Sequence, residues 1–81
     1  MPVVFRERGF RFFFYSNEGN PREPVHIHVE RDEIEAKFWV IPEVRLAYND
    51  GYSARTLREL QSIVEAHRNL ITEAWNDHFG S

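Results

Sequence analysis

His26 and His28 stand two residues apart in Pro24-Val25-His26-Ile27-His28-Val29-Glu30, where apolar and polar residues alternate. A period of two marks a strand with one buried face. With Val25, Ile27 and Val29 turned to a core, His26, His28 and Glu30 share the opposite face, and the imidazoles sit roughly 6.6 Å apart. Imidazole titrates near neutral pH, ligates transition metals and shuttles protons. The plainest reading is a pair of partly exposed strand histidines bonded to Glu35 and water. A metal site needs three or four ligands, and only Glu35 or a second chain stands near; Glu30 lies about 13 Å along the strand from His26. No metal and no cofactor is therefore expected. Acid–base chemistry is the third reading. A carboxylate beside His28 favours the imidazolium, and an acid with a second histidine suits RNA cleavage, where the 2′-hydroxyl is the nucleophile. The catalytic set would be His26, His28 and Glu35, with Arg11 or Lys37 at phosphate, contributing about 10²–10⁴-fold.

These side chains need a scaffold. Val3 to Arg6 reads as a strand, turned by Glu7-Arg8-Gly9 into the aromatic strand Phe10 to Tyr15. Ser16 to Pro24 is a loop by its Ser, Asn, Gly and Pro content, and Pro24 opens the third strand. Arg31-Asp32 is expected at the tip of a hairpin into a fourth strand, Glu33 to Val40. That tip sets Val29 against Ile34, Ile27 against Ala36 and Val25 against Phe38, and on the other face His28 against Glu35 and His26 against Lys37. Pro42 ends this strand, and Val44 to Tyr48 forms a fifth before the turn Asn49-Asp50-Gly51.

Ser53 is an N-cap candidate, rivalled by the capping box Thr56-x-x-Glu59. Leu57, Leu60, Val64, His67, Ile71, Ala74 and His78 then recur at helical spacing, flanked by Leu70, Trp75 and Phe79, with Gly80 as a C-terminal stop. Arg68-Asn69 could break this helix into two. The expected fold is α+β: an antiparallel sheet of four to five strands with a long C-terminal helix on one face, a single domain over 1–81. The helix should cover Phe10, Phe12, Phe14, Val25, Ile27, Val29, Ile34, Ala36 and Phe38. His67 falls on its apolar stripe as an edge-of-core residue, and His78 is expected in solvent.

The second sheet face would carry Arg11, Phe13, Tyr15, His26, His28, Glu35, Lys37 and Trp39. Aromatics mixed with arginine are what recognition surfaces are enriched in. Arg11, Phe13, Tyr15, Lys37 and Trp39 are therefore the candidate binding residues, and a homodimer, a different protein and RNA are the candidate partners. At 81 residues the chain buries only about 60% of its unfolded surface, so extra burial would help it. A net charge of −3 argues against a broad nucleic-acid footprint. The absence of cysteine excludes disulfides and thiolate metal sites. No stretch reaches the roughly 20 apolar residues of a membrane span, and the start of the chain is not that of a signal peptide. The expected location is the cytoplasm.

Met1-Pro2, Gly9-Phe10-Arg11-Phe12-Phe13-Phe14-Tyr15-Ser16-Asn17, Pro24-Val25-His26-Ile27-His28-Val29, Glu35-Ala36-Lys37-Phe38, Gly51-Tyr52-Ser53 and Trp75-Asn76-x-x-Phe79-Gly80 together resemble a family of short bacterial proteins, the domain of unknown function numbered four-one-six-zero. That family's Pro-Pro-His-x-His-Val segment maps to Glu23 through Val29, with Glu23 in place of the first proline and Val25 as an additional residue. The resemblance implies a stand-alone bacterial cytoplasmic protein of the kind found in toxin–antitoxin-like gene pairs, beside a second small protein. It implies no catalytic residues. The expected function is a protein-binding component of such a pair; the alternatives are a small ribonuclease-type toxin using His26 and His28, or a structural homodimer.

Overall fold

A computed structural model describes residues 3–17 and 23–80. Five strands, β1 (Val3–Glu7), β2 (Phe10–Phe13), β3 (His26–Arg31), β4 (Ile34–Trp39) and β5 (Arg45–Asn49), precede two helices, α1 (Ala54–Ala66) and α2 (Arg68–Phe79). The strands form one antiparallel meander in chain order. Alternation decides the faces. Phe10, Phe12, Phe14, Ile27, Val29, Ala36, Phe38, Val40 and Val44 share a hydrophobic cluster with Leu60, Ile63 and Val64 of α1 and Ile71 and Trp75 of α2. Val25 is partly buried against it, whereas Ile34, expected in the core, is not a member.

The β3–β4 hairpin differs from the expected register. Its tip is Asp32-Glu33, not Arg31-Asp32, and both tip residues have positive φ, 54° and 67°. Such values belong to the primed two-residue turns that match strand twist. Val29 therefore pairs with Ala36, Ile27 with Phe38, His28 with Lys37 and His26 with Trp39. The shift leaves every side chain on its predicted face, so alternation alone could not detect it. It adds an Arg31–Ile34 pair at the hairpin end, where the Arg31 guanidinium lies 3.9 Å above the Phe10 ring. Glycine would hold the tip without the Cβ clash of the left-handed region. Glu33→Gly is expected to raise stability by about 1 kcal/mol, read as a higher midpoint in urea; a lower midpoint would contradict the turn assignment.

Ser53 caps α1, accepting a hydrogen bond from the Thr56 amide at 3.2 Å, and prevails over the rival box. The helical segment is two helices, broken at His67, one residue before the expected Arg68-Asn69. The His67 ring Nδ1 donates to the Ile63 carbonyl at 2.8 Å and the ring stacks on Phe5 at 4.1 Å, which anchors the bend to β1. Trp75, expected on the flank, becomes a core residue, and Leu70 is exposed. Gly80 ends α2 in the left-handed conformation, as its position suggested.

Candidate functional site

Cross-strand register places Arg11 and Phe13 (β2), His26, His28 and Glu30 (β3), Glu35, Lys37 and Trp39 (β4), and Arg45 and Tyr48 (β5) on the second sheet face. All eight residues expected there are brought together, Tyr15 just beyond β2 included. The burial differs from expectation. His26 has no exposed surface and His28 is 3% exposed, where partly exposed rings were expected. Phe13 is also buried, at 1%.

His28 is held from several directions. Its ring stacks on Phe13 at 5.5 Å and meets the Tyr15 ring edge-on at 4.5 Å. Its Nδ1 lies 3.1 Å from Glu35 Oε2. Glu35 is opposite Glu30 rather than His28, so this contact is the diagonal neighbour that long side chains on a sheet can reach. The Glu35 carboxylate also accepts hydrogen bonds from the Tyr15 hydroxyl at 2.7 Å and from the Tyr48 hydroxyl. Burial pushes the Glu35 carboxyl up, but the Tyr48 and Tyr15 hydrogen bonds and the neighbouring His28 outweigh it and hold its pKa below 4.5. Burial and the Glu35 carboxylate together push the Tyr48 phenol well above 10. An ionised carboxylate only accepts, so His28 Nδ1 carries the proton and, in the neutral ring, Nε2 is the basic nitrogen.

The depressed Glu35 pKa has a definite sign. Its contribution to stability is present above 4.5 and is lost as pH falls through the lower folded value. The stability gap between the native protein and Glu35→Gln should therefore narrow from about pH 5 to about pH 3 in urea titrations. A constant gap over that window would contradict the hydrogen-bonded carboxylate.

His26 occupies a second cage. Its ring lies edge-on to Trp75 of α2 at 4.8 Å, to His28 at 5.2 Å and to Trp39 at 5.5 Å. Its Nδ1 donates to the Pro24 carbonyl at 2.9 Å and stands 3.9 Å from Glu23. The expected His26–Lys37 pairing is replaced by His26–Trp39. Lys37 instead sets its ammonium 4.3 Å above the Trp39 ring and 3.3 Å from Glu23. Arg11 pairs with Glu30 and lies 4.6 Å above Phe13. His67 contacts Glu7 at 3.5 Å, away from the pair, and His78 is exposed, both as expected. No group of three or more His, Cys, Asp or Glu among the described residues is placed to hold a metal ion.

Sequence reasoning missed Tyr48, Glu23 and Trp75. A register shift in β4–β5 between Lys37 and Phe38 brings Tyr48 opposite Lys37, and irregular pairing of that kind is invisible to alternation. Glu23 had a signal, a lone carboxylate just ahead of the histidine strand.

The family profile described as a domain of unknown function, DUF4160, matches residues 9–76. The chain belongs to the DUF4160 family. No curated protein and no solved structure matches it. The matched span holds β2 through most of α2, so both histidine cages lie within the family domain. No helix among the described residues is long and apolar enough to cross a membrane.

Proposed function

We propose that this DUF4160 protein is the binding component of a small, cytoplasmic toxin–antitoxin-like pair, and that it engages a partner protein through the β4–β5 side of the second sheet face. One observation carries the choice of a protein over RNA. Among the described residues, three of the four cations on this face are already paired, Arg11 with Glu30, Lys37 with Glu23 and Arg45 with Glu43; the fourth, Arg6, lies opposite Arg11 on β1, at the far edge from β4–β5. Phosphate binding draws on free cations, whereas a protein partner is suited by aromatic surface rimmed with balanced charge. Tyr48, opposite Lys37 and 40% exposed, and Ile41, just past the end of β4 and 36% exposed, supply large apolar surface beside half-buried Trp39.

The test is co-expression with the product of the neighbouring gene. The expected result is a complex that survives purification, with growth unaffected by the double variant His26→Ala, His28→Ala. Ribonuclease action is the second reading, favoured by the Glu35–His28 contact, which orients the ring as a general base requires. Its cost is access, since both imidazoles are buried. Growth arrest by the native protein that His28→Ala abolishes would favour cleavage over binding.

A further inference from the structure

Among the described residues, the covering over His26 is of two kinds. Trp39 and Trp75 belong to β4 and α2 and are fixed by the fold. Glu23 and Pro24 belong to no strand or helix, and Pro24 is exposed. This segment reaches β3 through Val25, whose carbonyl accepts from the Val40 amide at 2.9 Å and whose side chain leans on the core. Ahead of that anchor, the Pro24 carbonyl rests on His26 Nδ1, and the Glu23 carboxylate meets Lys37 at 3.3 Å and His26 at 3.9 Å. Lys37 is the one lysine among the ten Lys and Arg residues of the chain. It stands directly across from His28, with its ammonium between the Trp39 ring and Glu23.

We propose that Glu23–Val25 is a strap closed over His26, hinged at Val25 and latched by the Glu23–Lys37 ion pair. The Glu23 side chain is 39% exposed and that of Lys37 13%, and an ion pair partly open to solvent holds modestly. The latch is therefore strong enough to bias the strap closed and weak enough to release. Release uncovers His26, while His28 stays in its own cage of Phe13, Tyr15 and Tyr48. The inference concerns access to one imidazole and stands whether or not the face binds a partner.

Diethyl pyrocarbonate, which acylates accessible imidazole nitrogens, tests it through the rate at each histidine read by peptide mass spectrometry. Exposed His78 is the internal clock. In the native protein His26 should react far more slowly than His78. In Glu23→Gln and in Lys37→Met the His26 rate should rise by up to about fivefold, the factor available from a partly exposed ion pair, with His28 and His67 unchanged. Two variants are used so that misfolding of one does not decide the matter. An unchanged His26 rate in folded variants would overturn the strap. So would a uniform rise at all four histidines, which would mean that the pair holds the whole fold, and so would a native His26 as reactive as His78.

Discussion

Trp75→Ala is expected to cost about 3–5 kcal/mol, a large part of the 5–15 kcal/mol that stabilises a typical domain. Trp75 is 1% exposed and is among the largest fully buried side chains. It contacts Phe14 edge-on at 5.2 Å, Phe79 at 4.3 Å and His26 at 4.8 Å. Removing the indole leaves a cavity between α2 and the sheet that a small domain has little spare structure to fill. It also strips one wall from the cage around a buried imidazole, and a polar ring opened to a void loses more than its packing. Urea denaturation followed by far-ultraviolet circular dichroism measures the loss. A cost under about 1 kcal/mol would mean that Trp75 is not a core residue.

Trp39→Ala is expected to weaken the partner complex by about 30-fold or more, the effect of losing a tryptophan hot spot worth about 2 kcal/mol. Trp39 is half-buried, stacked under Lys37, with exposed Tyr48 on the neighbouring strand and exposed Ile41 just past the end of β4. It combines a rigid aromatic body with access, the profile of an interface anchor. Phe13 shares this face but is buried under Arg11 and against His28. Phe13→Ala should therefore destabilise the fold by about 3–5 kcal/mol and is no probe of binding. Calorimetric titration of the native protein and Trp39→Ala with the purified partner separates the two effects. Equal affinities would remove Trp39 from the interface.

The chain's faces could be read from its residues and its register could not. Strict alternation in Val25 through Val29 assigns Ile27 and Val29 to the core and His26 and His28 to the other side, and burial of a whole face penalises any one-residue slip. A two-residue shift carries no such penalty. Asp32-Glu33 lacks the Asn-Gly signal that would have fixed the tip, so the partners of His26 and His28 were each displaced by two positions. Glu35 still reaches His28 because the diagonal distance on a sheet is short enough for a glutamate. Tyr48 was hidden by the irregular β4–β5 pairing, and the covering of His26 by its distance in sequence from Trp75, which α2 brings against the ring. Local pattern fixes which side a residue faces; what comes to lie over it depends on a helix phase set some forty residues later.

In the proposed binding mode, a partner protein covers the Trp39 side of the sheet. The chain has two tryptophans, one half-buried on that face and one in the core. A heteronuclear NMR spectrum of the isotope-labelled protein therefore contains two indole N–H signals, and unlabelled partner can be added without contributing any. The Trp39 signal is predicted to shift or broaden on complex formation while the Trp75 signal stays in place. A complex that forms with the Trp39 signal unmoved would contradict an interface on this face.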